Sequence, residues 1–219
     1  KLGDSWIICS ETCALDIIGA EFIRDVEPGE IIIIDENGLH SHKPFSQTSK
    51  RPCIFEYIYF ARPDSNIDGH NVYEARKAIG AELARESFVS ADIVIPVPDS
   101  GVPAAIGFAQ ESMLPFELGL IRNHYVGRTF IEPTDEIRNL GVKLKHSANR
   151  QQLKGKRVIL VDDSIVRGTT SRKIVEMVRQ AGAKEVHMRI ACPEIKYPDF
   201  YGVDMPTKKE LLAANKSVE

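Results

Sequence analysis

VILVDDSIVRGTT, residues 158–170, is the stretch on which the reading of the fold turns. Apolar residues Val158 to Val161 run into the adjacent carboxylates Asp162 and Asp163, then into a short turn with a single glycine, then into hydroxyls that open a helical pattern. A short apolar run bounded by turn residues reads as a buried strand. In an open α/β sheet the carboxyl ends of such strands are where ligands bind. The turn Ser164-Ile165-Val166-Arg167-Gly168-Thr169 can aim backbone N–H groups at an anion, aided by the positive end of the helix that Thr170 enters. Carboxylates, which only accept hydrogen bonds, suit sugar hydroxyls. The order of strand, acid pair, turn and helix therefore fits a sugar phosphate. The plainer alternative, in which Asp and Thr merely cap a helix, requires neither the acid pair nor the turn.

Outward from this stretch the pattern alternates between strand and helix from Cys53 onward. Val72, Ala75, Ile79 and Leu83 keep helical spacing. Asp92 to Val97 reads as a short buried strand, Gly101 to Glu111 as a helix with Pro103 in its first turn, and Glu117 to Ile121 as a strand. After the central strand, Ile174, Val178 and Ala181 line a helix closed by Gly182, and Val186 to Ala191 is another strand. Such alternation predicts an α/β fold, a mainly parallel sheet with helices on both faces. The first 45 residues differ. SWIICS, GAEFI, EIIIID and LHSHK are strand candidates, and Asn37-Gly38 marks a hairpin between the last two. Ser46 to Pro52 reads as a linker, which divides the chain into a β-rich segment, 1–52, and an α/β domain, 53–219.

A second anion loop is PVPDSG, Pro96 to Gly101, again at a strand-to-helix junction, where Ser100 and Gly101 could present N–H groups. The alternative is that Asp99 and Ser100 cap the helix. Arg122 to Arg150 has no sustained periodicity, carries Arg122, Arg128, Arg138, Lys143, Lys145 and Arg150, and lies between the two loops. A long irregular segment inside a compact domain is commonly functional. Its local positive charge suits a lid that closes over a departing anion and excludes water.

Composition bounds the rest. The 219 residues are 43% hydrophobic and 27% charged, enough for a substantial core in one or two domains. A formal charge of −3 argues against bulk nucleic-acid binding. No apolar run spans a bilayer and no signal peptide opens the chain. Cys9, Cys13, Cys53 and Cys192 form no CxxC pair, so a reduced cytoplasmic protein is expected. Cys9, Cys13 and Cys192 read as small core residues, and His124 and His146 show no metal-ligand spacing.

The residue 158–170 stretch resembles the phosphoribosylpyrophosphate (PRPP) signature of type I phosphoribosyltransferases. FEYIYFARPDS, PVPDSG, RNHYVGRTFI and FYGVDMP extend the resemblance to glutamine PRPP amidotransferases over nearly the whole chain. The resemblance implies a type I phosphoribosyltransferase fold for 53–219, and for 1–52 the closing strands of a glutaminase of the N-terminal-nucleophile hydrolase type. It implies that the family's nucleophilic cysteine lies before Lys1 and that the chain is a fragment. The expected reaction, the first step of purine synthesis, makes phosphoribosylamine from PRPP and glutamine-derived ammonia. The fragment is expected to keep PRPP binding and at most ammonia-dependent activity.

By the same resemblance Asp162, Asp163, Ser164, Ile165, Val166, Arg167, Gly168, Thr169, Thr170, Asp99, Ser100, Gly101, Arg128 and Lys145 bind substrate, and Ser100, Asp162 and Asp163 lie at Mg²⁺. No residue is expected to act covalently or as acid or base. Tyr59 matches a residue near the ammonia channel; a core strand with amphipathic tyrosines is the even alternative. Implied partners are PRPP, pyrophosphate, purine nucleotides as inhibitors and further copies of the chain, with no membrane or nucleic acid. Some family members hold an iron–sulfur cluster through four cysteines. Here Cys53 matches the first, Asp199 stands at another, and one thiol cannot hold a cluster, so none is expected. Two rivals remain: a salvage phosphoribosyltransferase, disfavoured by the β-rich leader and YVGRTFI, and a non-catalytic PRPP sensor, which calls for a DNA-binding domain that does not appear.

Overall fold

The computed structural model describes residues 1–45, 49–125, 145–199 and 207–217. They fall into two compact units, Lys1–Tyr73 and Glu74–Glu219, so residues 53–73 count with the first unit. The reason is a polar network. The Glu11 carboxylate accepts the Arg62 N–H at 2.8 Å and the Ser65 hydroxyl at 2.9 Å, and the Thr12 hydroxyl accepts the Asn66 N–H at 2.8 Å. Arg62 to Ser65 forms a turn, closed by a bond from the Ser65 N–H to the Arg62 carbonyl at 3.0 Å.

In the first unit, helix α1 (Thr12–Ile18) ends at Gly19 in the left-handed conformation. Strands β1 (Ile31–Asp35) and β2 (Gly38–His42) form the expected hairpin, in register Asp35↔Gly38. SWIICS and GAEFI are not strands. Among the described residues neither finds a ladder partner, and a strand is defined by its cross-strand bonds rather than by its apolar content. Ile8, Phe22 and Ile23 are consequently exposed. Glu56–Phe60 is a π-helical turn rather than a strand, and Cys9 is exposed where a core position was expected. Strands β3 (Asn66–Ile67) and β4 (His70–Asn71) form a second, shorter hairpin before helix α2 (Val72–Ser87).

The second unit is the expected α/β arrangement. Strands β5 (Ile93–Pro96), β8 (Arg157–Asp162) and β9 (Glu185–Ile190) form a parallel sheet in the order β5-β8-β9. Helix α3 (Val102–Ser112) follows β5, and helix α5 (Thr169–Gln180) joins β8 to β9. Between them lie strands β6 (Leu120–Arg122) and β7 (His146–Ala148), paired antiparallel, and the short helix α4 (Arg150–Leu153). The two-residue period of the strands sorts the core into two layers. Ile93, Ile95, Val97, Val158 and Leu160 pack with Ile174, Val178 and Ala181 on the α5 face. Val94, Ile159 and Val161 pack with Ala104, Ala105 and Phe108 of α3 and Ala84 of α2 on the other. Burying each such aliphatic or aromatic side chain stabilises by roughly 1.5–3 kcal/mol.

The predicted stripe on α2 shifts by one position. Its buried face is Val72, Arg76, Gly80 and Ala84, while Ala75, Ile79 and Leu83 are half-buried. Glycine is what makes that face usable. A Cβ on Gly80 would stand 1.9 Å from the Ala104 carbonyl oxygen, and one on Gly107 would stand 1.9 Å from that of Lys77. The two helices thus cross with backbone against backbone. No described helix is long and apolar enough to cross a membrane.

Candidate functional site

Parallel strands bring their carboxyl ends to one edge, so Pro96 and Asp162 deliver both predicted loops together. The contact is close: a Cβ on Gly101 would lie 2.7 Å from the Val161 carbonyl oxygen and 3.2 Å from the Asp162 Cα. Glycine at 101 is therefore required for the 97–101 loop to rest against the end of β8. The Gly101 N–H itself bonds to the Val97 carbonyl at 3.0 Å, so it is not an anion donor as expected. The N-cap residue of both α3 and α5 is a glycine, Gly101 and Gly168, which brings no capping side chain to either junction.

Asp162 and Asp163 are both buried, 8% and 6% exposed. The Asp163 N–H donates to Asp162 Oδ1 at 2.9 Å, and the Ser164 hydroxyl donates to Asp163 Oδ1. Burial and then the charge of Asp163 push the Asp162 carboxyl far above its ordinary range. Burial raises Asp163 as well, opposed by hydrogen bonds from the Ser100 and Ser164 side chains and by the positive charge of Arg76. The buried Cys192 thiol is raised to about 11 by burial and by Asp163, which makes it an inert wall of the site.

The turn after the pair is a row of backbone donors. Among the described residues the N–H groups of 165–170 find no acceptor, and Gly168, in the left-handed conformation, turns the chain into α5. Thr169 and Thr170 are exposed there. The geometry can accept an anion without side-chain help. The Arg167 guanidinium is engaged elsewhere, its Nε donating to Glu210 Oε1 at 3.2 Å, while its main-chain N–H stays in the row. Asp99 pairs with Arg122 across the 97–101 loop, and His146 Nε2 lies 3.3 Å from the Pro98 carbonyl oxygen. The β6–β7 ladder thereby ties the base of the predicted lid to that loop. Burial, first, lowers the His146 imidazole, and the neighbouring Lys145 and Arg122 charges add to it. Lys145 sits at this base, its carbonyl accepting the Asn123 N–H at 2.8 Å. Arg128, with the rest of 126–144, lies outside the described residues, as does FYGVDMP. Tyr59, half exposed beside Phe60, belongs to the first unit.

A family model described as the phosphoribosyl transferase domain matches residues 68–199. The chain belongs to the phosphoribosyltransferase family. Its parallel sheet with flanking helices is the fold of that family. An amidophosphoribosyltransferase of Rhizobium etli is 65% identical over 212 residues, 94% of this chain and 43% of the relative. One from Bacillus subtilis is 55% identical over 218 residues, 100% of this chain and 46% of the relative. A solved glutamine PRPP amidotransferase from B. subtilis, complexed with ADP and GMP, superposes with a TM-score of 0.87 at 56% identity, over 95% of this chain and 46% of that one. The chain thus spans about half the length of the curated relatives it matches.

One residue of this phosphoribosyltransferase site escapes a reading by motif. Arg76, 5% exposed, supplies the positive charge felt by Asp163. Its signal was an arginine at the i+4 step from Val72, on the stripe that Gly80 and Ala84 continue. Arg76→Met is expected to raise the Asp163 carboxyl further, measured as an upward shift of its ¹³C titration; no movement would show that the charge is not felt there.

Proposed function

We propose that the chain binds PRPP with Mg²⁺ between residues 97–101 and 162–170 and transfers its phosphoribosyl group to ammonia, as the synthase half of a glutamine PRPP amidotransferase. The observation that carries this reading is the row of unpaired N–H groups at 165–170 beside two buried carboxylates. Identities of 55–65% to amidophosphoribosyltransferases over nearly the whole chain support it. In this reading the N–H row holds the 5′-phosphate. Asp162 and Asp163 face the ribose hydroxyls and favour the positive charge that builds at C1. Ser100 and the 97–101 loop meet the pyrophosphate, and Lys145 and Arg128 are proposed as further substrate-binding residues. The C1–O bond breaks with its electron pair going to pyrophosphate, the ammonia lone pair forms C1–N, and the extra proton leaves to solvent.

The donor set suits the metal. Among the described residues no group of three or more His, Cys, Asp or Glu could hold an ion. Mg²⁺, however, takes one or two carboxylates and draws its other ligands from substrate phosphates and water. Asp162, Asp163 and the Ser100 hydroxyl are hard oxygen donors, and a cation would offset the charge that burial penalises. When bound, the ion neutralises the pyrophosphate as it departs.

Residues 1–52, with the β1–β2 hairpin, are proposed as the closing part of the glutaminase, with Tyr59 on the ammonia path. Glutamine is the proposed nitrogen source of the whole enzyme, and assembly with further copies belongs to the same reading. Purine nucleotides, whose 5′-phosphates fit the same N–H row, are proposed inhibitors. The test is pyrophosphate release from Mg²⁺–PRPP, with ammonium at alkaline pH or with glutamine. Ammonia-dependent release is expected from this chain. No release together with no PRPP binding would reject the reading.

A further inference from the structure

Behind the N–H row lies a segment that no motif marks, residues 207–215. The Leu212 N–H donates to the Val166 carbonyl at 2.9 Å. Leu211 is fully buried, and the Leu212 side chain stands where a Cβ on Gly168 would meet its Cδ2 at 3.1 Å. Glu210 holds the Arg167 guanidinium and also accepts the Thr207 N–H at 3.3 Å and hydroxyl at 3.2 Å. The segment is itself braced. Asn215 Nδ2 donates to the carbonyls of Lys208, Lys209 and Leu211, and Lys208 Nζ sits 5.1 Å from the centroid of the Tyr197 ring.

We propose that Glu210 and Leu212 are positioning residues, and that residues 207–215 form a latch fixing the back of the 165–170 turn so that its N–H groups face the ligand. The inference deepens the proposed function and rests on it. In a trans peptide the C=O and the following N–H point in opposite directions. Tethering the Val166 carbonyl to Leu212 therefore turns the Arg167 N–H away from the latch, to the side open for an anion. Leu212 packs on the latch side of Gly168, where the left-handed bend brings the chain round into α5. Arg167 then contributes its main chain, while its guanidinium neutralises Glu210. Without the latch the turn must be ordered by the ligand, and ordering a residue opposes binding by an amount comparable to a tenfold change in affinity.

Two sets of variants test this. Leu212→Pro removes the N–H that reaches Val166, yet proline is well tolerated at the first position of a helix, which residue 212 occupies. In this variant the KM for PRPP is expected to rise roughly tenfold with kcat changed much less, at an unchanged melting temperature. Tryptic cleavage after Arg167, read without ligand, is expected to accelerate. In the second set Arg167→Ala and Glu210→Ala should raise KM equally, the double variant should add nothing, and Glu210→Asp should restore part of the effect. If Arg167→Ala alone weakens PRPP binding and Glu210→Ala leaves or improves it, the guanidinium is a ligand of the phosphate and the latch is overturned. Unchanged KM and unchanged cleavage in Leu212→Pro overturn it equally. A wild-type chain that fails to bind Mg²⁺–PRPP refutes the proposed function, whereas the cleavage rate still decides whether the latch orders the turn.

Discussion

Asp162→Asn is expected to remove PRPP-dependent turnover while making the ligand-free protein more stable at alkaline pH. The two halves of that result have one cause. Asp162 is 8% exposed and stands beside a second buried carboxylate, accepting the Asp163 N–H. Burial first, and Asp163 second, favour its neutral form. A carboxyl whose folded value is raised binds protons more readily in the folded than in the unfolded state. Its contribution to stability is complete below the unfolded carboxylate range and is lost as pH rises through the raised value. Divalent-free wild type should therefore lose stability from mildly acidic to alkaline pH, and the amide, which never ionises, should flatten that slope. The gain at the alkaline end is about 1–3 kcal/mol, the scale of an uncompensated buried polar group. Turnover should fall on the order of 10²–10³-fold, the scale for losing one preorganised electrostatic partner of a transition state. Melting curves across pH without divalent ions, alongside pyrophosphate release with ammonium, check both. A variant less stable than wild type at alkaline pH, or one that keeps its turnover, refutes the account.

How much of this was legible beforehand depends on whether a feature is carried by neighbours in sequence or in space. The 158–170 stretch was readable because strand, acid pair, turn and helix follow one another, and Ile174, Val178 and Ala181 kept the helical period that buries them. At Gly101 the strand-to-helix junction suggests an N–H donor, whereas the folded chain spends that N–H on Val97 and uses the missing side chain. Arg76 is hidden from a reading by pattern because a charged residue interrupts an apolar stripe, and the buried stripe is built from a valine, an arginine, a glycine and an alanine. Glu210 and Leu212 could not be seen at all, since only the folded chain brings residue 212 to residue 166. SWIICS and GAEFI failed for the converse reason. Their apolar pattern is real, but among the described residues their cross-strand bonds stop at isolated pairings, Ser5 with Leu2 and Glu21 with Lys1, and without a ladder the segment is not a strand.

The α2–α3 crossing gives the second large effect, and its sign separates two kinds of argument. By helix propensity alone Gly80→Ala and Gly107→Ala should each stabilise by about 1 kcal/mol. The crossing says otherwise. Each new methyl carbon would fall 1.9 Å from a backbone carbonyl oxygen of the facing helix, Ala104 for Gly80 and Lys77 for Gly107. No rotamer change can relieve that overlap, because both colliding groups are main chain, so the helices must part. Separation loosens the layer formed by Ala84, Ala104, Ala105 and Phe108 against Ile159 and Val161. Overpacking of this kind costs about 1–3 kcal/mol and occasionally more, and a collision with backbone belongs at the upper end. For a unit of this size that corresponds to a fall in melting temperature of roughly 5–10 °C. Thermal unfolding of each single variant measures it, and an unchanged or higher melting temperature would mean the helices do not meet as described. The functional consequence follows from geometry. Arg76 lies one turn before Gly80 on the same buried face, so a displaced α2 carries its charge away from Asp163. Both variants should therefore also lose PRPP affinity below the melting transition, in proportion to the upward movement of the Asp163 carboxyl.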